Sequence, residues 1–60
     1  MKAFIVKVQF FSPNLIPTAT GEFVVEAEDK WDAESKQNDN CLEWGYRSGE
    51  FRVVSVYEVE

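Results

Sequence analysis

The chain has 60 residues, six bases against eleven acids and a formal charge of −5, with no histidine and a single cysteine. A chain this short holds one domain and buries only about 60% of the surface its unfolded form exposes, so stability must come from good core packing or self-association. Cys41 alone excludes an internal disulfide, and without histidine or a second thiol a structural zinc site is excluded too.

The charge is unevenly placed. Lys2 and Lys7 are the only charged residues before Glu22, and from there eleven acids stand against four bases, a net −7. Such a surface repels phosphate, which disfavours direct nucleic-acid binding, and it attracts a basic partner protein. Residues 1–11 superficially resemble a signal peptide, but Lys7 and Gln9 break the apolar run and no small-residue cleavage site follows. No stretch approaches the length of a membrane span. A lone cysteine suits a reducing compartment, so the expectation is a cytoplasmic protein that does not engage membranes.

Residues 2–11 read as a first strand. Phe4, Val6, Val8 and Phe10 share one face at period two, while Lys7 and Gln9 mark the other as wet; Ala3 and Ile5 begin that second face. Residues 12–20 read as a connection, because Pro13 and Pro17 cannot donate to a central ladder. It carries Leu15 and Ile16 side by side, either folded back over the core or exposed as an apolar tip that touches a partner. Residues 21–27 form a second strand, with Phe23, Val25 and Ala27 inward and Glu22, Val24 and Glu26 outward.

Asp29 has the character of a helix N-cap, with Asp32 three residues on to complete a capping box. Ala33, Gln37, Cys41 and Trp44 follow at helical spacing, which predicts a helix over about 30–45 with Gly45 as its natural stop and Gly49 as a later alternative. Its centre, residues 34–40, holds no apolar residue, so the helix is expected to be held at its two ends. A third strand over 50–59 has two candidate inward faces. Phe51, Val53, Ser55, Tyr57 and Val59 make the more apolar one, and a bulge or a partly covered second face would reconcile Val54 and Val56 with it. The expected class is α+β, ββαβ: a three-stranded sheet in the order 2-1-3, mixed, with one helix packed on one face.

Without histidine, a histidine-assisted serine or cysteine nucleophile is impossible, and three scattered glycines make no phosphate-cradling loop. Cys41 reads as a small buried hydrophobe. No cofactor or metal is expected. Glu26, Glu28, Asp29, Asp32 and Glu34 crowd the corner between second strand and helix, and they lack the spacing of a calcium loop. They serve as a cap and solubilising face, as an acidic contact for a basic partner, or as a weak divalent site. Trp31 either lies over the sheet edge or, with Leu15 or Ile16, makes a binding surface or a dimer seam.

The stretch Val25-Glu26-Ala27-Glu28-Asp29-Lys30-Trp31-Asp32-Ala33-Glu34, followed by a last strand ending Ser55-Val56-Tyr57-Glu58-Val59-Glu60, resembles short proteins of bacteriophages and mobile elements. The DpnD/PcfM-like proteins are among these, and small anti-CRISPR inhibitors follow comparable strand–helix–strand plans. The long proline-containing first loop and the polar helix centre depart from that pattern. The resemblance implies a phage or mobile-element origin and carries over no functional residue. The expected function is therefore a non-enzymatic acidic protein-binding module, such as a phage-encoded modulator of a host protein with a basic surface. Its contact residues would be Glu26, Glu28, Asp29, Trp31, Asp32, Glu34, Leu15 and Ile16. The alternative is a homo-oligomeric structural or accessory domain without a dedicated ligand site.

Overall fold

In the computed structural model, which describes residues 1–12, 14 and 16–59, the chain runs β1 (Lys2–Phe11), β2 (Pro17–Ala27), α1 (Lys30–Glu43) and β3 (Phe51–Glu58). The sheet order is β2-β1-β3, and α1 packs on one of its faces. This is the α+β, ββαβ class with the strand order read from the sequence.

The strand directions correct the expected mixed sheet: β1 is antiparallel to both neighbours. The helix links β2 to β3, and those two strands run the same way with β1 between them. The parallel relation that a helical crossover favours therefore holds across β1. In the expected mixed sheet it would lie between β1 and β3 themselves.

The long inner row of β1 decides where the core lies. Phe4, Val6 and Val8 are buried, and Val25 and Ala27 of β2 join them from the strand paired at Lys2↔Ala27 through Phe10↔Ala19. β2 begins at Pro17, four residues earlier than the alternation suggested. The proline opens an edge strand, where its missing N–H does no harm. Ser12 N–H donates to the Ile16 carbonyl at 2.9 Å across the shortened turn. Leu15 and Pro13 lie outside the described residues.

On the helix, Ala33, Gln37 and Cys41 are buried at successive four-residue steps. Gln37 is 0% exposed, which corrects the expectation of a helix held only at its ends. Its amide Nε2 donates to Cys41 Sγ at 3.5 Å and its Oε1 accepts from Asn40 Nδ2 at 3.4 Å. The polar tip is thus occupied within the helix, and the methylenes are left to pack.

The two ends of α1 are closed by side chain and backbone respectively. Asp29 Oδ1 accepts from Asp32 N–H at 2.8 Å, and Asp32 Oδ2 accepts from Glu28 N–H at 3.0 Å, one residue earlier than a standard capping box. At the C-terminus, Tyr46 N–H reaches the Cys41 carbonyl and Gly45 N–H the Leu42 carbonyl, a Schellman closure with Gly45 at φ 97°.

α1 stops short of the far end of the sheet, so Phe10 and Phe23 are half-buried where full burial was expected. Aromatic rings close that end. Phe10 and Phe23 meet edge to face at 6.3 Å, Tyr46 lies 4.8 Å from Phe10, and Trp44 lies 5.2 Å from Phe23. Gly21 makes room for them, since a Cβ there would come within 2.8 Å of the Phe23 ring.

β3 carries the bulge that its sequence called for. Lys7 pairs with Ser55 and Val8 with Val53, leaving Val54 as the extra residue. Phe51, Val53 and Val56 face the core, while Tyr57 turns outward. The favoured inward set thus holds before the bulge and is exchanged after it.

Replacing Asp29 by Ala should destabilise the fold by about 1 kcal/mol in urea melts, and Asp29→Asn by far less, since either oxygen can accept from the first turn. Gly21→Ala should cost about 1–3 kcal/mol by overpacking, with a parallel change in near-ultraviolet circular dichroism as the aromatic rings shift.

Candidate functional site

The strand-to-helix corner brings together some of the acids singled out from the sequence and assigns others to structure. Asp29 is the N-cap. Asp32 holds Glu28 N–H and pairs with Lys36 Nζ at 3.3 Å, and Lys36 also donates to the Glu26 carbonyl at 3.1 Å, tying α1 to β2. The backbone N–H of Glu28 holds the Asp32 carboxyl below the ordinary aspartate range, with Lys36 adding to the effect against a partial loss of solvation. These two carboxylates are engaged within the fold.

Glu28 and Glu34 are different. Both are exposed, and among the described residues neither carboxylate has a hydrogen bond or ion pair. Trp31 stands near them, 78% exposed, over a shallow hollow of about 330 Å³ lined also by Lys2, Phe4, Glu28, Asp29, Lys30 and Glu58. One turn of helix thus presents a large apolar ring rimmed by charge.

Away from Trp31, Glu26 lies at the edge of an open groove of about 420 Å³ lined by β2 and α1, with Val24, Lys36, Asp39, Asn40 and Glu43. Asp39 and Glu43 were not among the sequence candidates. Their signal was the helical spacing of Lys36, Asp39, Asn40 and Glu43, one stripe beside the buried one. Ile16 is exposed but sits at the Phe11 end of the sheet, whereas Trp31 sits at the Lys2 end. Ten strand residues, about 30 Å, separate those ends. A joint patch of Ile16 and Trp31 is therefore not formed, and Leu15 lies outside the described residues.

Cys41 is buried, and loss of solvation pushes its thiol up. It is placed as a core residue. Among the described residues no three acids or thiols converge as metal ligands do. What the corner can do chemically is attract a cationic surface and offer it an aromatic anchor. No protein-family model, curated protein or solved structure matches the chain.

The Asp32 contacts give a pH dependence of definite sign. A carboxyl whose folded value is depressed contributes stability that is present above its unfolded value and lost as pH falls through the folded one. Acid titration of the melting temperature should therefore show a decline below about pH 4 that Asp32→Asn makes shallower. An unchanged profile would assign the decline to other carboxylates.

Proposed function

We propose that the chain is a non-enzymatic acidic protein-binding module that engages a basic surface on another protein, as a phage or mobile-element protein does when it modulates a host factor. The observation that supports this best is Trp31. It is the most exposed of the large aromatic residues, and it stands beside two carboxylates that the fold leaves free. Tryptophan ringed by polar groups is the usual composition of an interface hot spot. The chain's net −5 and its acidic flank would speed encounter with a cationic partner.

On this reading Trp31 supplies the apolar anchor and Glu28 and Glu34 supply steering and register. Glu26, Asp39 and Glu43 extend the negative potential along the groove beside β2. Asp29 and Asp32 act indirectly, by holding the first turn that carries Trp31. No cofactor or nucleic acid takes part. The homo-oligomeric alternative draws its support from the bare face of the sheet opposite α1, where Val24 and Tyr57, both paired with Ile5, are 71% and 46% exposed.

The test is capture from host lysate on immobilised protein. Glu28→Lys with Glu34→Lys should leave the melting temperature nearly unchanged, since such exposed positions usually shift stability by under about 0.5 kcal/mol each. Capture should be lost. Raising salt from about 0.1 M to about 1 M shortens the screening length from about 10 Å to about 3 Å and should release the partner. Trp31→Ala should accelerate dissociation more than it slows association. Capture that survives both the double reversal and high salt would rule the acidic corner out as the contact.

A further inference from the structure

The outer edge of β2 is open, and the ladder fixes which of its backbone groups are left over. Phe11 N–H donates to the Glu50 carbonyl and Val59 N–H to the Ala3 carbonyl, so the odd-numbered residues of β1 turn their N–H and C=O groups to the β3 side. The even-numbered ones turn to β2, where Phe4 pairs with Val25 and Val6 with Phe23. The odd-numbered residues of β2 are used in this way. Thr18, Thr20, Glu22 and Val24 turn theirs outward, where among the described residues no strand pairs with them. Both ends of this window are marked. Pro17 has no N–H to offer, and the Glu26 carbonyl accepts from Lys36 Nζ at 3.1 Å.

The groove of about 420 Å³ lined by β2 and α1 runs beside the window. A strand added about 4.8 Å from β2 would lie along it, with every second side chain on the helix side. Those side chains recur about every 6.7 Å along a strand. Asp39 and Glu43, four residues apart, recur at about 6 Å along the helix axis, a comparable spacing.

Charge decides what the added strand can be. Glu26, Asp39 and Glu43 are exposed and among the described residues form no ion pair, whereas Lys36 is matched by Asp32 at 3.3 Å. The charge left over along the groove is therefore negative. A second copy fits poorly, because its own β2 brings Glu22 and Glu26 with no base, on a chain of −5. A basic strand fits.

We infer that the outer edge of β2 takes an extended basic segment of another protein as a fourth strand. The segment runs antiparallel, the direction both existing pairs adopt, and bonds to the backbone of residues 18–24. Its basic side chains lie over Asp39 and Glu43, and its other face meets Val24, which is 71% exposed. The inference rests on the reading of the chain as an acidic protein-binding module, and adds to it a partner class and a site apart from Trp31.

The probe is a capped seven-residue peptide of alternating lysine and valine, titrated to about 1 mM into the whole chain. Binding should saturate, and the amide protons of Thr20, Glu22 and Val24 should become protected from exchange. In this register the valine nitrogens face β2 and the lysine nitrogens face away. Methylating the valine nitrogens should weaken binding at least about tenfold, and methylating the lysine nitrogens should not. Asp39→Lys with Glu43→Lys should also weaken it at least about tenfold, and a peptide with glutamate in place of lysine should not bind. Absence of saturation, or binding indifferent to valine methylation or to the charge reversal, overturns the inference. Protection of the same amides when the protein alone is concentrated overturns it too, by giving the edge to a second copy. Lysate capture by the Glu28→Lys, Glu34→Lys protein tests the corner and peptide binding tests the edge, so either can fail while the other stands.

Discussion

The seam between α1 and the sheet is the contact on which the rest of the molecule depends. On the helix side it consists of Ala33, Gln37 and Cys41, and on the sheet side of Phe4, Val6 and Val8 with Val25 and Ala27. None of the helix residues is large and apolar, so the hydrophobic contribution comes chiefly from the strands. The helix supplies closeness and a lid that excludes water. Gln37 can occupy the middle of that seam because Cys41 and Asn40, four and three residues on, take up its amide. One helix of 14 residues covers one face and no more. The bare face, the aromatic closure beyond the last helical turn and the exposed ring of Trp31 all follow from that shortage of covering material.

Much of the fold was legible because its signals are local. Period-two alternation located β1 and most of β2, an acid at each of two positions three apart located the helix start, and Gly45 located its end. The relative direction of β3 was not legible in this way. It depends on which strand the crossover skips, and no local pattern in residues 51–58 records that. Gln37 was placed on the right stripe, but the polar helix centre read as unheld: a residue's polarity describes its tip, while burial here depends on where the four-residue stripe points. Pro17 read as a loop residue because proline excludes a central strand, yet β2 is an edge.

The acidic corner was legible as composition but not as roles. From the sequence, Asp29, Asp32, Glu28 and Glu34 are four similar acids within seven positions. The fold divides them by backbone direction. The first-turn N–H groups point at Asp29, the Glu28 N–H points at Asp32, and the other two carboxylates face solvent. Capping therefore consumes half the apparent charge cluster, and the part free for recognition is smaller than a count of acids suggests. The groove acids Asp39 and Glu43 escaped notice because they stand further along α1, outside the corner, and meet β2 only in space.

The extra residue in β3 also shapes how the molecule can grow. An open sheet has two edges, each a row of backbone donors and acceptors able to template another strand. On one of them Val54 breaks the regular spacing, so an incoming strand finds no continuous ladder. The other edge, β2, stays in unbroken register from Lys2↔Ala27 to Phe10↔Ala19. A chain with one good edge can join a second chain by that edge, but the pair then exposes only bulged strands. The bulged edge is thus the poorer template for an added strand, and the outer edge of β2 the more regular one.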